Sequence, residues 1–485
     1  MSNITANRRP GFRPPNRREV LGLALGSLIP VRAQGVETHQ ATGVKTGEVT
    51  SDSAVIWGRR TQFSVRRADG IVRKGRRDTP LELGYDISRL QGSCPGEAGQ
   101  MRLIVREDGG KKVHDSDWTP VAAEADFSRN FMVSKLHPGT GHTFTMETRG
   151  SSGGKVDGVL TGKFRTAPPA GSLAPVKLTM MSCQKYSQTD SPGGFLIYDA
   201  MRNLNPHFYL SVGDNVYYDS DDPIVNSVAV ARYHWHRMYS QAKLMECLRA
   251  VPGYWVKDDH DCYSDDCWPG MVDERMKPFT FEEGLKIFPE QVPMGPRPYR
   301  SFRWGQGLEI WLLEGRNYRT SNPTADGPAK SIWGAEQKKW LQNSLAESKA
   351  HWKLIISPTP VVGPDRTNKR DNHSNQSFAT EGREFRQWLS ENSRGDTFVL
   401  CGDRHWQYHS IDPATKVEEF GCGAASDSHA SGTPGENPRY HRFHRVLGGF
   451  LALEVVPDGR SSQLVIEHRD VNGAKVYGRT YRRQS

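Results

Sequence analysis

Three apolar runs constrain this chain more than anything else in it, because each stops abruptly at residues able to bind a metal or carry a proton. Tyr254-Trp255-Val256 runs into Asp258, Asp259, His260 and Asp261. Phe208-Tyr209-Leu210-Ser211-Val212 runs into Gly213-Asp214-Asn215-Val216-Tyr217. Thr397-Phe398-Val399-Leu400-Cys401 runs into Gly402-Asp403-Arg404-His405. Short apolar stretches of this kind read as buried strands. Three carboxylates around one imidazole at the mouth of a strand repel one another unless a cation or solvent intervenes. Oxygen and nitrogen donors gathered at strand ends point to a metal site.

The rest of the chain supplies the frame for such ends. After a proline-rich stretch, Ala167 to Pro175, strands and helices alternate. Strands are expected at Val176 to Met181, His207 to Val212, Tyr254 to Val256, Glu309 to Leu313, Trp352 to Ser357 and Thr397 to Cys401. Helices are expected at Phe195 to Leu204, Ala231 to Ala250, Trp333 to Ser348 and Glu381 to Glu391. The tail, Phe450 to Arg482, reads as two or three antiparallel strands with turns at Pro457-Asp458-Gly459 and Asn472-Gly473. Alternation of this kind argues an α/β domain with ligands at strand ends. Before the linker the reading is all-β, with strands at Ser53 to Trp57, Met101 to Val105 and His142 to Met146. That part suggests a fibronectin- or immunoglobulin-like β-sandwich. The division expected is a leader at 1–33, a β-sandwich domain at 34–168, a linker at 169–175 and the α/β catalytic domain at 176–485.

The leader resembles a twin-arginine export signal. Asn16-Arg17-Arg18-Glu19-Val20-Leu21-Gly22 precedes an uncharged apolar run from Val20 to Val31, and Val31-Arg32-Ala33 offers a small-residue cleavage site. The run is too short to span a bilayer. It implies an exported protein, periplasmic or secreted, that meets the twin-arginine translocase in transit. The 485 residues carry a formal charge of +9, of which the leader contributes +5, so about +4 remains on the rest. A balance that mild gives no support to a specific nucleic-acid partner. A basic cluster, Arg66, Arg67, Arg73, Lys74, Arg76 and Arg77, reads as a solvated loop, with peripheral contact to an anionic lipid surface as its alternative. Seven cysteines is an odd number, so at least one has no partner within the chain; Cys262 and Cys267 are near enough in sequence to pair.

The ordered motifs Gly213-Asp214-x-x-Tyr217, Asp258-Asp259-His260-Asp261 and Gly402-Asp403-x-His405, with Ser182-Cys183-Gln184 before them and Leu312 to Arg319 between them, carry a resemblance to a known family. They resemble the alkaline phosphatase D (PhoD-like) family of calcineurin-like metallophosphoesterases, and the leader and β-rich N-terminal part match its layout. The resemblance implies a metallophosphoesterase sandwich and a binuclear metal centre. Asp214 would bridge the two metals. Cys183, Tyr217 and His405 would hold the first, and a thiolate beside a tyrosinate suits ferric iron. Asp259 and Asp403 would hold the second. Its oxygen-rich coordination favours calcium, with magnesium, manganese and zinc as alternatives. His260 aligns with the residue that protonates the leaving group, and Asp261 would orient its imidazole or cap the following loop. Arg316 would brace a phosphate, or pair with Glu314, which stands where the family usually has aspartate. Asp403 replaces the histidine of more distant relatives. Ser357-Pro358-Thr359-Pro360 also lacks the histidine those relatives place nearby, and His373 is a candidate substitute.

Other chemistries fit less well. A cysteine nucleophile of the tyrosine-phosphatase kind needs an arginine six residues on, where this chain has Thr189. A zinc site from His260, Cys262 and Cys267 matches no common finger spacing. The expected function is metal-dependent hydrolysis of phosphate mono- or diesters by a metal-bound hydroxide, for phosphate release. The alternatives are a phospholipase-D-type phosphodiesterase and a non-catalytic periplasmic binding protein on the same scaffold. An adhesion or carbohydrate-binding protein led by the β-rich part would leave the acidic strand ends unexplained.

Overall fold

The computed structural model describes residues 39–73 and 79–483. The expected leader, with Lys74, Arg76 and Arg77 of the basic cluster, lies outside the described residues. The N-terminal part contributes β1 (Val44–Gly47), β2 (Ser53–Arg59), β3 (Gly99–Glu107), β4 (Lys112–Asp115), β5 (Thr119–Val121), β6 (Ser128–Ser134), β7 (Gly141–Arg149) and β8 (Gly158–Arg165). Strands β4, β3, β7 and β8, with β5 paired to β3, make a five-stranded sheet. Strands β1, β2 and β6 instead extend a larger sheet.

That larger sheet takes β9 (Val176–Met181), β10 (Phe208–Val212) and β11 (Gly253–Val256) as its parallel centre. At the far edge it adds the antiparallel tail strands β19 (Phe450–Asp458), β20 (Ser461–Arg469) and β21 (Lys475–Arg482), giving the order β21-β20-β19-β9-β10-β11-β1-β2-β6. A second sheet runs β12-β13-β14-β15-β17-β16-β18. Its members are β12 (Arg300–Trp304), β13 (Leu308–Leu312), β14 (Trp352–Ser357), β15 (Thr397–Cys401), β16 (Gln407–Ile411), β17 (Glu418–Cys422) and β18 (His441–Arg445).

The period-2 geometry of a strand explains why these segments read as continuous apolar runs rather than alternating ones. Leu178, Met180, Phe208, Leu210, Val212, Tyr254 and Val256 face inward onto Ile310, Leu312, Leu354, Ile356, Phe398 and Leu400 of the second sheet. Their neighbours Met181, Tyr209 and Trp255 face the other way, into a core shared with α1 (Leu196–Asn203), α2 (Val228–Tyr239), α3 (Ala242–Leu248) and α4 (Phe281–Gln291). Trp311, Ile355 and Val399 face α5 (Gly334–Glu347) and α6 (Ala379–Asn392) in the same way. The layers are therefore helices, sheet, sheet, helices.

One expected helix, Ala231 to Ala250, is two. Ser240 closes α2, its hydroxyl bonding back to the Arg237 carbonyl at 3.3 Å, and Gln241 is extended. A serine that bonds its own backbone competes with helix continuation. A capping box, Thr280 with Glu283, starts α4.

The registers set the site. Met181 pairs with Ser211 and Val212 with Val256, so β9, β10 and β11 end side by side. In the second sheet Leu312 pairs with Ile356 and Ser357 with Cys401. The two sets of ends meet where Ser182 bridges Ala424 and Gly402 packs against Val212.

Candidate metal centre

Three strand-end residues leave the ordinary backbone regions. Cys183, Asp214 and Asp403 have φ of 55°, 55° and 63°. Left-handed backbone in a residue with a Cβ costs energy and gathers at functional turns. Here it turns each side chain from the strand axis into the space between the two sheets' ends. Gly213, at φ 78°, makes the turn before Asp214, where a Cβ would stand 2.6 Å from that of Asp258.

One ligand atom from each of Cys183, Asp214 and His405 lies within 4.8 Å of the others. Asp214, Asp259 and His260 form a second such group, and Asp259, Asp265 and Asp266 a third. Tyr217 joins the first: its hydroxyl lies 3.0 Å from Asp214 Oδ2 and 3.4 Å from His405 Nε2. Asp214 Oδ1, Asp258 Oδ2 and Asp259 Oδ1 are buried with no hydrogen-bond partner. A buried carboxylate oxygen without a partner is costly, and a cation would satisfy it.

The electrostatics agree with that reading. Burial first, and the Asp259 carboxylate next, hold Asp214 well above the usual carboxylate range. Burial followed by the Asp214 charge does the same to the Cys183 thiol and the Tyr217 phenol. Burial also outweighs the adjacent Arg404 guanidinium to raise Asp403. The protein alone thus disfavours the charge these groups need as ligands, and bound cations would reverse that. The residues present fit a metal centre.

His260 is set differently. Its burial would depress the imidazole, but the carboxylates of Asp219, Asp259 and Asp214 outweigh it and hold the ring well above its ordinary value. Nδ1 lies 2.6 Å from Asp219 Oδ1, and the ring packs against Tyr217, tilted by 31° with centroids 4.3 Å apart.

The PhoD-like phosphatase family profile spans residues 178–445 of the chain. The chain belongs to the PhoD-like phosphatase family. Over 94% of its length and 83% of the relative's, it is 22% identical to alkaline phosphatase D of Bacillus subtilis (strain 168). Tartrate-resistant acid phosphatase type 5 of Oryctolagus cuniculus is 22% identical over 56% of this chain and 78% of that one. The solved structure of PhoD superposes with a TM-score of 0.71 at 18% identity, covering 93% of this chain and 92% of that one. Purple acid phosphatase PPD1 from yellow lupin (Lupinus luteus) seeds superposes with a TM-score of 0.59 at 13% identity, covering 90% and 73%. The fold is of the metallophosphoesterase type, and this PhoD-like protein is a phosphoric ester hydrolase.

The remaining residues singled out in the sequence have definite places in this PhoD-like site. Arg316 is fully buried, with Nε on Asp258, Nη1 donating to the Cys267 carbonyl at 3.2 Å, and an unpartnered Nη2 3.8 Å from Asp259 Oδ1. Glu314 does not pair with that guanidinium. It pairs with Lys257 and accepts the backbone N–H groups of Arg316 and Asn317 at 2.7 and 3.0 Å. Asp261 does not orient His260. It accepts the backbone N–H groups of Asn215, Val216 and Asp258 at 2.6, 3.1 and 2.9 Å, tying the ends of β10 and β11 together. His373 belongs to none of the three candidate ligand groups; it is buried against Trp333 with Nε2 2.9 Å from Glu381. Asp403 pairs with Arg404, which also reaches Asp371 at 3.0 Å. All seven cysteines, Cys262 and Cys267 included, are buried free thiols.

Two residues escaped the sequence reading. Asp219 orients His260 and lies two positions after Tyr217, but its partner stands 41 positions away and no local pattern pointed to the contact. His429 stands 2.9 Å from the Tyr217 hydroxyl through Nε2, on a loop with no strand-end signature.

Proposed function

We propose that the protein hydrolyses phosphate mono- or diesters at a binuclear centre. Iron would be held by Cys183, Asp214, Tyr217 and His405, and a divalent cation, calcium foremost, by Asp214, Asp259 and Asp403. The observation that carries this reading is the meeting of Cys183, Asp214 and His405 within 4.8 Å, with the Tyr217 phenol bonded to Asp214. When bound, the metals supply Lewis acidity, lowering the pKa of a water and neutralising phosphoryl oxygens.

The chain's own residues supply the rest. Asp219 engages His260 Nδ1, and Nε2, 3.8 Å from the exposed Asp265 carboxylate, is the nitrogen that would donate to the leaving oxygen. The Asp219 carboxylate on Nδ1 works against the ring's burial and favours the protonated imidazole, the form a general acid requires. Arg316 acts from behind the ligands: its full burial supports bracing Asp258 and Asp259 rather than touching phosphate. Asp214, Asp259 and His260 come together at the strand ends, where they would face the phosphoryl group. For residues 34–168 we propose a β-sandwich domain, supported by the packing of Ala54, Ile56 and Phe131 with Leu103, Val105 and Phe144 in one core. Export behind the leader at 1–33 rests on the sequence motif alone.

Asp214→Asn and His405→Ala are each expected to abolish turnover of nitrophenyl phosphate esters and to lower metal content. Full activity in either variant would sink the assignment.

A further inference from the structure

The loop after β17 is strapped to the ligand set at three points. Ala425 N donates to the Cys183 carbonyl at 3.3 Å, and Ser431 N donates to the His405 carbonyl at 3.2 Å. Between them a short helical turn, Asp427–His429, lays the His429 ring against that of His405 at 4.0 Å and edge-on to Tyr217 at 5.3 Å. The turn is itself anchored: Asp427 Oδ1 accepts Gly448 N at 2.9 Å, and Ser428 donates to the Gln188 carbonyl at 3.1 Å. His429 is 9% exposed, so its contact with Tyr217 is shielded from water.

The hydrogen-bond inventory then fixes direction. A phenol has one proton, and as a metal ligand it has none. Asp214 Oδ2, 3.0 Å from the phenol oxygen, only accepts when ionised. Beside a tyrosinate, the 2.9 Å contact with His429 Nε2 is attractive only if that nitrogen carries the hydrogen.

We propose that His429 is a positioning residue for the metal-binding phenol, its Nε2–H donating to the Tyr217 oxygen. This rests on the reading of Cys183, Asp214, Tyr217 and His405 as an iron site. The bond does two things. It adds to the Asp214 and His260 contacts that hold the ring of Tyr217, and it draws charge from the phenolate oxygen as donors to charged groups do. His429 is not itself a ligand in this account: it belongs to none of the ligand groups that gather Cys183, Asp214, Asp259, His260 and His405.

The test is the visible spectrum of the iron-loaded protein, with iron content measured on the same samples, for wild type, H429F and H429Q. A donor to the phenolate oxygen lowers its lone-pair energy and raises that of the tyrosinate-to-iron charge-transfer band. H429F, which keeps the bulk and loses the donor, is expected to retain iron and move the band to longer wavelength. H429Q, which keeps a donor, is expected to lie between H429F and wild type. Identical band positions in all three, at equal iron content, would overturn the proposal. So would loss of iron in both variants to the level of His405→Ala, which would make His429 a ligand. A wild-type protein that takes up no iron also overturns it, and shows by that sample alone that the fault lies in the iron reading. Thermal melts of each variant separate misfolding from loss of the bond, and H429Q stands in if H429F does not fold.

Discussion

At the scale of single residues the centre is a set of buried groups whose charges are unfavourable without cations. His260 and Asp219, in contact at 2.6 Å, are its proposed acid–base unit, and the unit sets the first prediction. A general acid matters most where the leaving oxygen is a poor leaving group. His260→Ala is therefore expected to slow alkyl phosphate esters by about 10²–10⁴-fold, and nitrophenyl esters much less. Asp219→Asn should show the same selectivity at smaller size, because the ring stays in place with a weaker partner. Equal losses on both ester classes, read from steady-state rates, would remove the acid role. The strand-end residues proposed as ligands, Asp214, Asp259, Asp403 and His405, could be singled out in the sequence because an apolar run stops just before each of them. Asp219 and His429 could not. Their partners stand 41 and 212 positions away, and loop packing, not a local pattern, brings them together. Of the two roles open to Asp261 in the sequence, orienting His260 or capping the following loop, the structure shows neither: its carboxylate accepts backbone N–H groups of Asn215, Val216 and Asp258, which precede it.

At the scale of elements, the site depends on two sets of strand ends approaching closely. Gly402 is the closest point. A Cβ there would stand 2.2 Å from the Val212 carbonyl and 3.1 Å from Ser182. Gly402→Ala must push β15 away from β10, so it is expected to cost about 1–3 kcal/mol of stability, the usual range for overpacking. It should lower metal content as well, because Asp403 and His405 move with β15 while Asp214 stays with β10. Denaturant unfolding and metal analysis on the same sample check both, and wild-type values for both would contradict this account of the junction. The strands themselves were legible because residues buried on both faces give unbroken apolar runs. The break between α2 and α3 was not, since apolar residues continue across it as Leu244, Cys247 and Leu248 while the interruption comes from one hydroxyl turning back on its own helix.

At the scale of the whole molecule, one core runs between the two large sheets and on into the N-terminal strands, so stability belongs to the assembly of sheets. Several histidines are buried in it uncharged. His468 on β20 is the clearest: burial pushes it down to about 3 from an ordinary 6.5, with Nε2 donating to the Gly421 carbonyl at 3.1 Å. The sign follows from proton counting. Between those two values the unfolded chain binds a proton that the folded chain does not, so stability rises with pH there and falls on acidification. The loss is at most about 1.4 kcal/mol per pH unit for one such group. His468→Gln should therefore show a smaller drop in melting temperature between pH 6.5 and 4 than wild type, and an unchanged slope would contradict the burial argument. Among the described residues no helix is long and apolar enough to cross a membrane.

The central claim is that the strand ends hold a binuclear metal centre containing iron. Elemental analysis of the purified protein, with a visible spectrum of the same sample, tests it most directly. About one iron per chain with a charge-transfer band, accompanied by a divalent metal, is the expected result. Zinc alone would leave a phosphoesterase but contradict the Cys183–Tyr217 iron site, and no metal even after reconstitution would contradict the centre itself.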